Sequence, residues 1–64
     1  MNKARRFFNL DSELDLQKVI DFVERVTNNP FAVIDAEAHY NNTFVLVEAT
    51  EPELDKIEAF VGEL

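Results

Sequence analysis

One histidine and several carboxylates are the only side chains of this sequence whose types and spacing suggest chemistry. His39, Glu37 and Asp35 alternate along one stretch, and alternate residues of an extended strand project to the same side, as metal ligands or an acid/base pair must. Glu48, in the next apolar segment, is expected on the same side. The set lacks a second imidazole or any recognised ligand spacing, and a solvent-facing strand would carry the same residues. Ser12 is the only serine and is better placed as a helix cap than as a nucleophile. With Gly62 the only glycine, no phosphate-cradling loop can form, and the absence of cysteine excludes disulfides and thiolate zinc sites. No catalytic residue, metal site or cofactor is therefore assigned, and a non-enzymatic role is expected.

The elements that position these residues follow from periodicity. Arg5 to Leu10 reads as a short strand, with Phe8 and Leu10 on one side and Phe7 and Asn9 on the other. Asp11 or Ser12 then caps a helix, with Ser12 and Asp15 at capping-box spacing. Leu16, Val19, Ile20, Val23 and Val26 form its buried stripe, with Phe22 beside it, and Asn28-Asn29-Pro30 ends it. Phe31 to Tyr40 and Thr43 to Ala49 are extended segments joined by Asn41-Asn42, which predicts a hairpin. Its register pairs Tyr40 with Thr43, Ala38 with Val45, Ala36 with Val47 and Ile34 with Ala49 on an apolar face. The other face pairs His39 with Phe44, Glu37 with Leu46 and Asp35 with Glu48, and Phe31 and Val33 continue it. Like charges opposed at Asp35 and Glu48 call for a neutralising neighbour, and Arg5 is the candidate. Thr50 and Glu53 form a T-x-x-E capping box with Pro52 in the first turn. Leu54, Ile57, Val61 and Leu64 supply that helix's buried stripe, with Phe60 beside it.

The order is thus β-α-β-β-α in a single α+β domain over residues 1–64. Both helices are expected on the Ala36/Ala38/Val45/Val47 face as a two-layer sandwich. A right-handed crossover with the first strand beside the third gives sheet order 1-3-2, the ferredoxin-like arrangement lacking its fourth strand. The chain resembles small regulatory ferredoxin-like modules of the ACT or Lrp-effector type, in which a strand such as Phe44 to Val47 leads into a helix such as Glu53 to Val61. Where those modules carry glycine-containing ligand loops, the turns here read Asn28-Asn29-Pro30 and Asn41-Asn42.

Composition bounds the function. A 64-residue chain with 47% hydrophobic residues is a globular protein with a small core, and association with another surface is one route to added stability. No apolar run approaches the roughly 20 residues that span a bilayer, and no signal peptide is visible, so a cytoplasmic location without membrane contact is expected. Lys3, Arg5 and Arg6 are half of the six basic residues, so the remainder of the chain sets three basic residues against 13 acidic ones. Such a body repels phosphates, which argues against direct nucleic-acid binding and favours protein partners. Six of the acidic residues, Asp11, Glu13, Asp15, Glu51, Glu53 and Asp55, sit near helix starts, where the dipole stabilises them.

The sheet face away from the helices should be polar, yet Phe7, Phe31, Val33, Phe44 and Leu46 are predicted on it, ringed by Arg5, Asp35, Glu37 and Glu48. The expected function is therefore a protein-protein interaction or regulatory module, self-associating as a homodimer through that face. The alternative is an acidic inhibitor that mimics nucleic acid and binds a basic nucleic-acid-binding protein.

Overall fold

The computed structural model describes residues 2–39 and 41–64. Strand β1 (Ala4–Leu10) leads through a 3-10 turn (Glu13–Asp15) into helix α1 (Leu16–Thr27); β2 (Val33–His39) and β3 (Asn42–Ala49) follow, then helix α2 (Glu51–Gly62). The sheet has three strands in the order β1-β3-β2, with β3 antiparallel to both neighbours. Both helices pack on one side of it. The core joins Phe8, Leu10, Val45, Val47 and Ala49 from the sheet to Val19, Val23, Leu54 and Ile57 from the helices, and Ala32 completes it.

The ends of the elements follow from local chemistry. The predicted Ser12–Asp15 capping box does not form: Ser12 Oγ accepts from the Leu14 amide at 3.1 Å and caps the 3-10 turn, so α1 proper begins only at Leu16. Asn28 ends α1 in the left-handed region at φ 52°, which its short side chain tolerates. Phe22 and Phe60 stack with centroids 4.1 Å apart and planes within 7°, locking α1 to α2. Leu64, expected in the buried stripe, is exposed because α2 stops at Gly62.

The capping box of α2 is complete. The Glu53 amide donates to Thr50 Oγ1 at 3.4 Å, and Glu53 Oε1 accepts from the Thr50 amide and hydroxyl, each at 2.9 Å. Those bonds, the backbone one foremost, hold the Glu53 carboxyl below the usual carboxylate range. A depressed carboxyl contributes stability above its unfolded pKa and loses it as pH falls through the folded value. Thr50→Ala is expected to cost about 1 kcal/mol in a denaturant titration at neutral pH, and Glu53→Gln should flatten the acid limb of stability against pH. An unchanged acid limb in Glu53→Gln would show that the box carries no linkage.

Arg6 fastens β1 to α2. It lies on the helix side of the sheet and donates to Glu51 at 2.8 Å, Asp55 at 3.2 Å and Glu58 at 3.0 Å. Desolvation works against its charge, but the hydrogen bond to Asp55 and the fields of Glu51, Glu58 and Asp55 raise its pKa on balance.

The hairpin departs from the expected register. Ala36 opposes Val45, Glu37 opposes Phe44, Ala38 opposes Thr43 and His39 opposes Asn42, a slip of two residues from the register set by an Asn41-Asn42 loop. Asn42 is already a strand residue, and the Tyr40 of the expected Tyr40–Thr43 pair lies outside the described residues. A slip of two keeps every side chain on its own face, so the Ala36/Val45 side still meets the helices. Ala38, however, is exposed.

Further along, Val33 opposes Val47 while Asp35 opposes Leu46, which leaves Ile34 as the extra residue of a bulge. The bulge inverts the facing of the segment before it. Val33 packs against the core, whereas Ile34, expected inside, is 41% exposed. Ala32 takes the buried place, and its carbonyl accepts from the Glu48 amide at 2.9 Å.

Candidate protein-binding surface

The open face of the sheet is set out in rows. Phe7 on β1 opposes Leu46 on β3, which opposes Asp35 on β2; Asn9, Phe44 and Glu37 form the next row. Strand alternation away from core-facing Phe8 puts Phe7 outward, and it is 61% exposed. Its ring meets Phe44 across the diagonal with centroids 5.5 Å apart and planes at 59°, a favourable tilted contact. Phe44 and Leu46 are half-buried by these neighbours. Ile34 follows core-packed Val33 and so turns to the open side at the bulge.

Of the five apolar residues predicted for this surface, Phe7, Phe44 and Leu46 come together. Val33 does not, because the bulge turns it to the helices. Phe31 precedes β2 in the turn after α1, where Asn29 Oδ1 accepts from its amide at 2.9 Å; it is 82% exposed but outside the paired rows. Ile34 is the member that sequence reasoning missed. Phe31-Ala32-Val33-Ile34 is an unbroken apolar run with no alternation to set its phase, so its only signal was that lack of phase.

The charges around the patch are separately engaged. Arg5 opposes Glu48 and donates through Nε to its carboxylate at 3.1 Å. Asp35 does not oppose Glu48, as the expected register had it; it faces Leu46, and its Oδ1 accepts from the Ala36 amide at 2.9 Å. Glu37 reaches along its own strand to His39 Nε2 at 2.8 Å. The histidine and its three nearby carboxylates thus make two separate pairs and one local turn bond. Among the described residues no group of three histidine, cysteine or acidic side chains is placed to hold a metal.

An open hollow of about 580 Å3 lies beyond the end of the patch, between the start of the 3-10 turn and the hairpin tip, and is lined by His39, Ser12, Asp11 and Glu13 among others. Ser12 is committed there to the Leu14 amide and His39 to Glu37, so these two are not paired as nucleophile and base. Carboxylates elsewhere are also paired locally: Glu51, Asp55 and Glu58 converge on Arg6 while staying largely exposed, and Asp15 pairs with Lys18 at 3.7 Å. No protein-family model, curated protein or solved structure matches the chain, so the meaning of this face rests on its geometry.

Proposed function

We propose that this chain is a small non-enzymatic protein-binding module that self-associates through the open face of its sheet. The observation that carries the proposal is Phe7, 61% exposed and packed on Phe44 on the side of the sheet that no helix covers. Apolar side chains that adjoin one another on an otherwise solvated face are what an interface core contains, and Arg5, Asp35, Glu37 and Glu48 form the polar rim around it. The strand order under two helices fits a ferredoxin-like sandwich without its fourth strand, with the open face as its docking side. The acidic-mimic reading draws less support, because the charge of the exposed α2 carboxylates that would serve as phosphate surrogates is partly offset by Arg6.

Size sets the expected strength. Strands roughly 4.8 Å apart with a rise of roughly 3.3 Å per residue give a flat footprint of about 300 Å2 per copy. A standard interface buries about 800 Å2 per partner, so a weak, transient self-association is expected. The test is Leu46→Lys followed by sedimentation equilibrium. Wild type should dimerise with rising concentration, and the variant should be a folded monomer, since burying the remaining exposed part of Leu46 contributes roughly 1 kcal/mol and the variant would have to bury a lysine charge instead. A wild type still monomeric at about 1 mM would overturn the proposal.

A further inference from the structure

We infer that the two copies stack face to face about an axis running along β3, so that β1 of each lies over β2 of the other and Arg5 reaches Asp35 of the second copy. The inference rests on the self-association proposed above. Its starting point is the unequal charge of the two sides of the face. The β1 side carries Arg5, whose side chain is 61% exposed and bonds Glu48 through Nε alone, leaving its terminal nitrogens without a partner among the described residues. The β2 side carries Asp35 and Glu37 and no lysine or arginine. Glu37 is occupied by His39, whereas Asp35 has only the Ala36 amide.

Stacked sheets keep their strands within about 30° of each other, which leaves a two-fold axis lying along the strands or across them. An axis across the strands lays β2 over β2. It sets Asp35 and Glu37 against the same two carboxylates across a gap of about 10 Å, with Arg5 on the far side of each copy. An axis along the strands exchanges the sides. Phe44, Leu46 and Glu48, on central β3, then meet their own counterparts at the axis, each Glu48 already neutralised by Arg5 of its own copy, and Arg5 lies one row, about 7 Å along the strand, from Asp35 of the other copy. That is within reach of an arginine, whose planar fork can engage a second carboxylate while Nε stays on the first.

Two measurements test the arrangement. In sedimentation, Arg5→Gln and Asp35→Asn should each weaken self-association roughly threefold, and the double variant should be about as weak as either single one, because both remove the same contact. Losses that add in the double variant would overturn the pairing. Because the chain has no cysteine, introduced thiols report position cleanly. Asn9 and Glu37 flank Phe44 in one row, so Asn9→Cys mixed with Glu37→Cys should cross-link through a short bis-maleimide, while Asn9→Cys alone should not. Cross-linking of Asn9→Cys with itself would place β1 over β1 and overturn the inference while leaving the proposed dimer standing. A wild type that stays monomeric would remove the dimer itself, and this arrangement with it.

Discussion

Val47→Asp is expected to leave the chain unfolded at 25 °C. Val47 has no exposed surface, lies at the middle of central β3 and opposes Val33 on one side and Arg6 on the other. Its side chain points into the layer that holds Leu54 and Ile57. Arg6 is already held by three carboxylates at the sheet margin, so it offers no counter-charge to an aspartate here. An unpaired buried carboxylate costs several kcal/mol, comparable to the whole stability of a domain this small. Far-ultraviolet circular dichroism with thermal melting checks it: a cooperative melt at the wild-type temperature would mean that the β3 faces are assigned backwards.

The second large effect contrasts two neighbours. Phe8 is 5% exposed within the core and Phe7 is 61% exposed on the opposite side of the same strand. Phe8→Ala should cost about 3–5 kcal/mol by leaving a cavity between β1 and the helices. Phe7→Ala should change the stability of the monomer by less than about 1 kcal/mol while loosening self-association. Urea titrations of both variants, with sedimentation on Phe7→Ala, separate the two roles. Equal losses of stability would show that Phe7 serves the fold of the monomer and not a surface.

These contrasts mark what could be read from residues alone. Alternation in Phe7-Phe8-Asn9-Leu10 sets the facing of β1 because each large apolar residue has a polar or oppositely directed neighbour. The stripe through Val19 and Val23 and the Thr50/Glu53 box likewise define the helices from side chains within one or two turns of each other. The hairpin register was less legible. Asn41-Asn42 is a weak turn signal, and a pairing two residues away preserves both faces, so hydrophobic pattern could not choose between them.

The bulge at Ile34 was not legible at all. It depends on how the chain from Pro30 meets the end of β3, where Ala32 receives the Glu48 amide, and no local propensity encodes that contact. One extra residue therefore exchanged Val33 for Ile34 on the open face, while the two-residue slip of the hairpin separated Asp35 from Glu48. The patch at Phe7, Phe44 and Leu46 was unaffected because it lies on β1 and β3, away from the bulge.

The same irregularity makes the two margins of the sheet unequal as templates for adding a strand. A bulge, with the acidic Asp35 and Glu37 beyond it, breaks the row of backbone donors and acceptors along the outer side of β2 and discourages an incoming chain. The outer side of β1 runs seven residues without bulge or proline. The β1 margin is thus the better template for lateral growth. Once two such margins meet, strand addition through them ends at a pair, and any further growth has to run through the faces of the sheet.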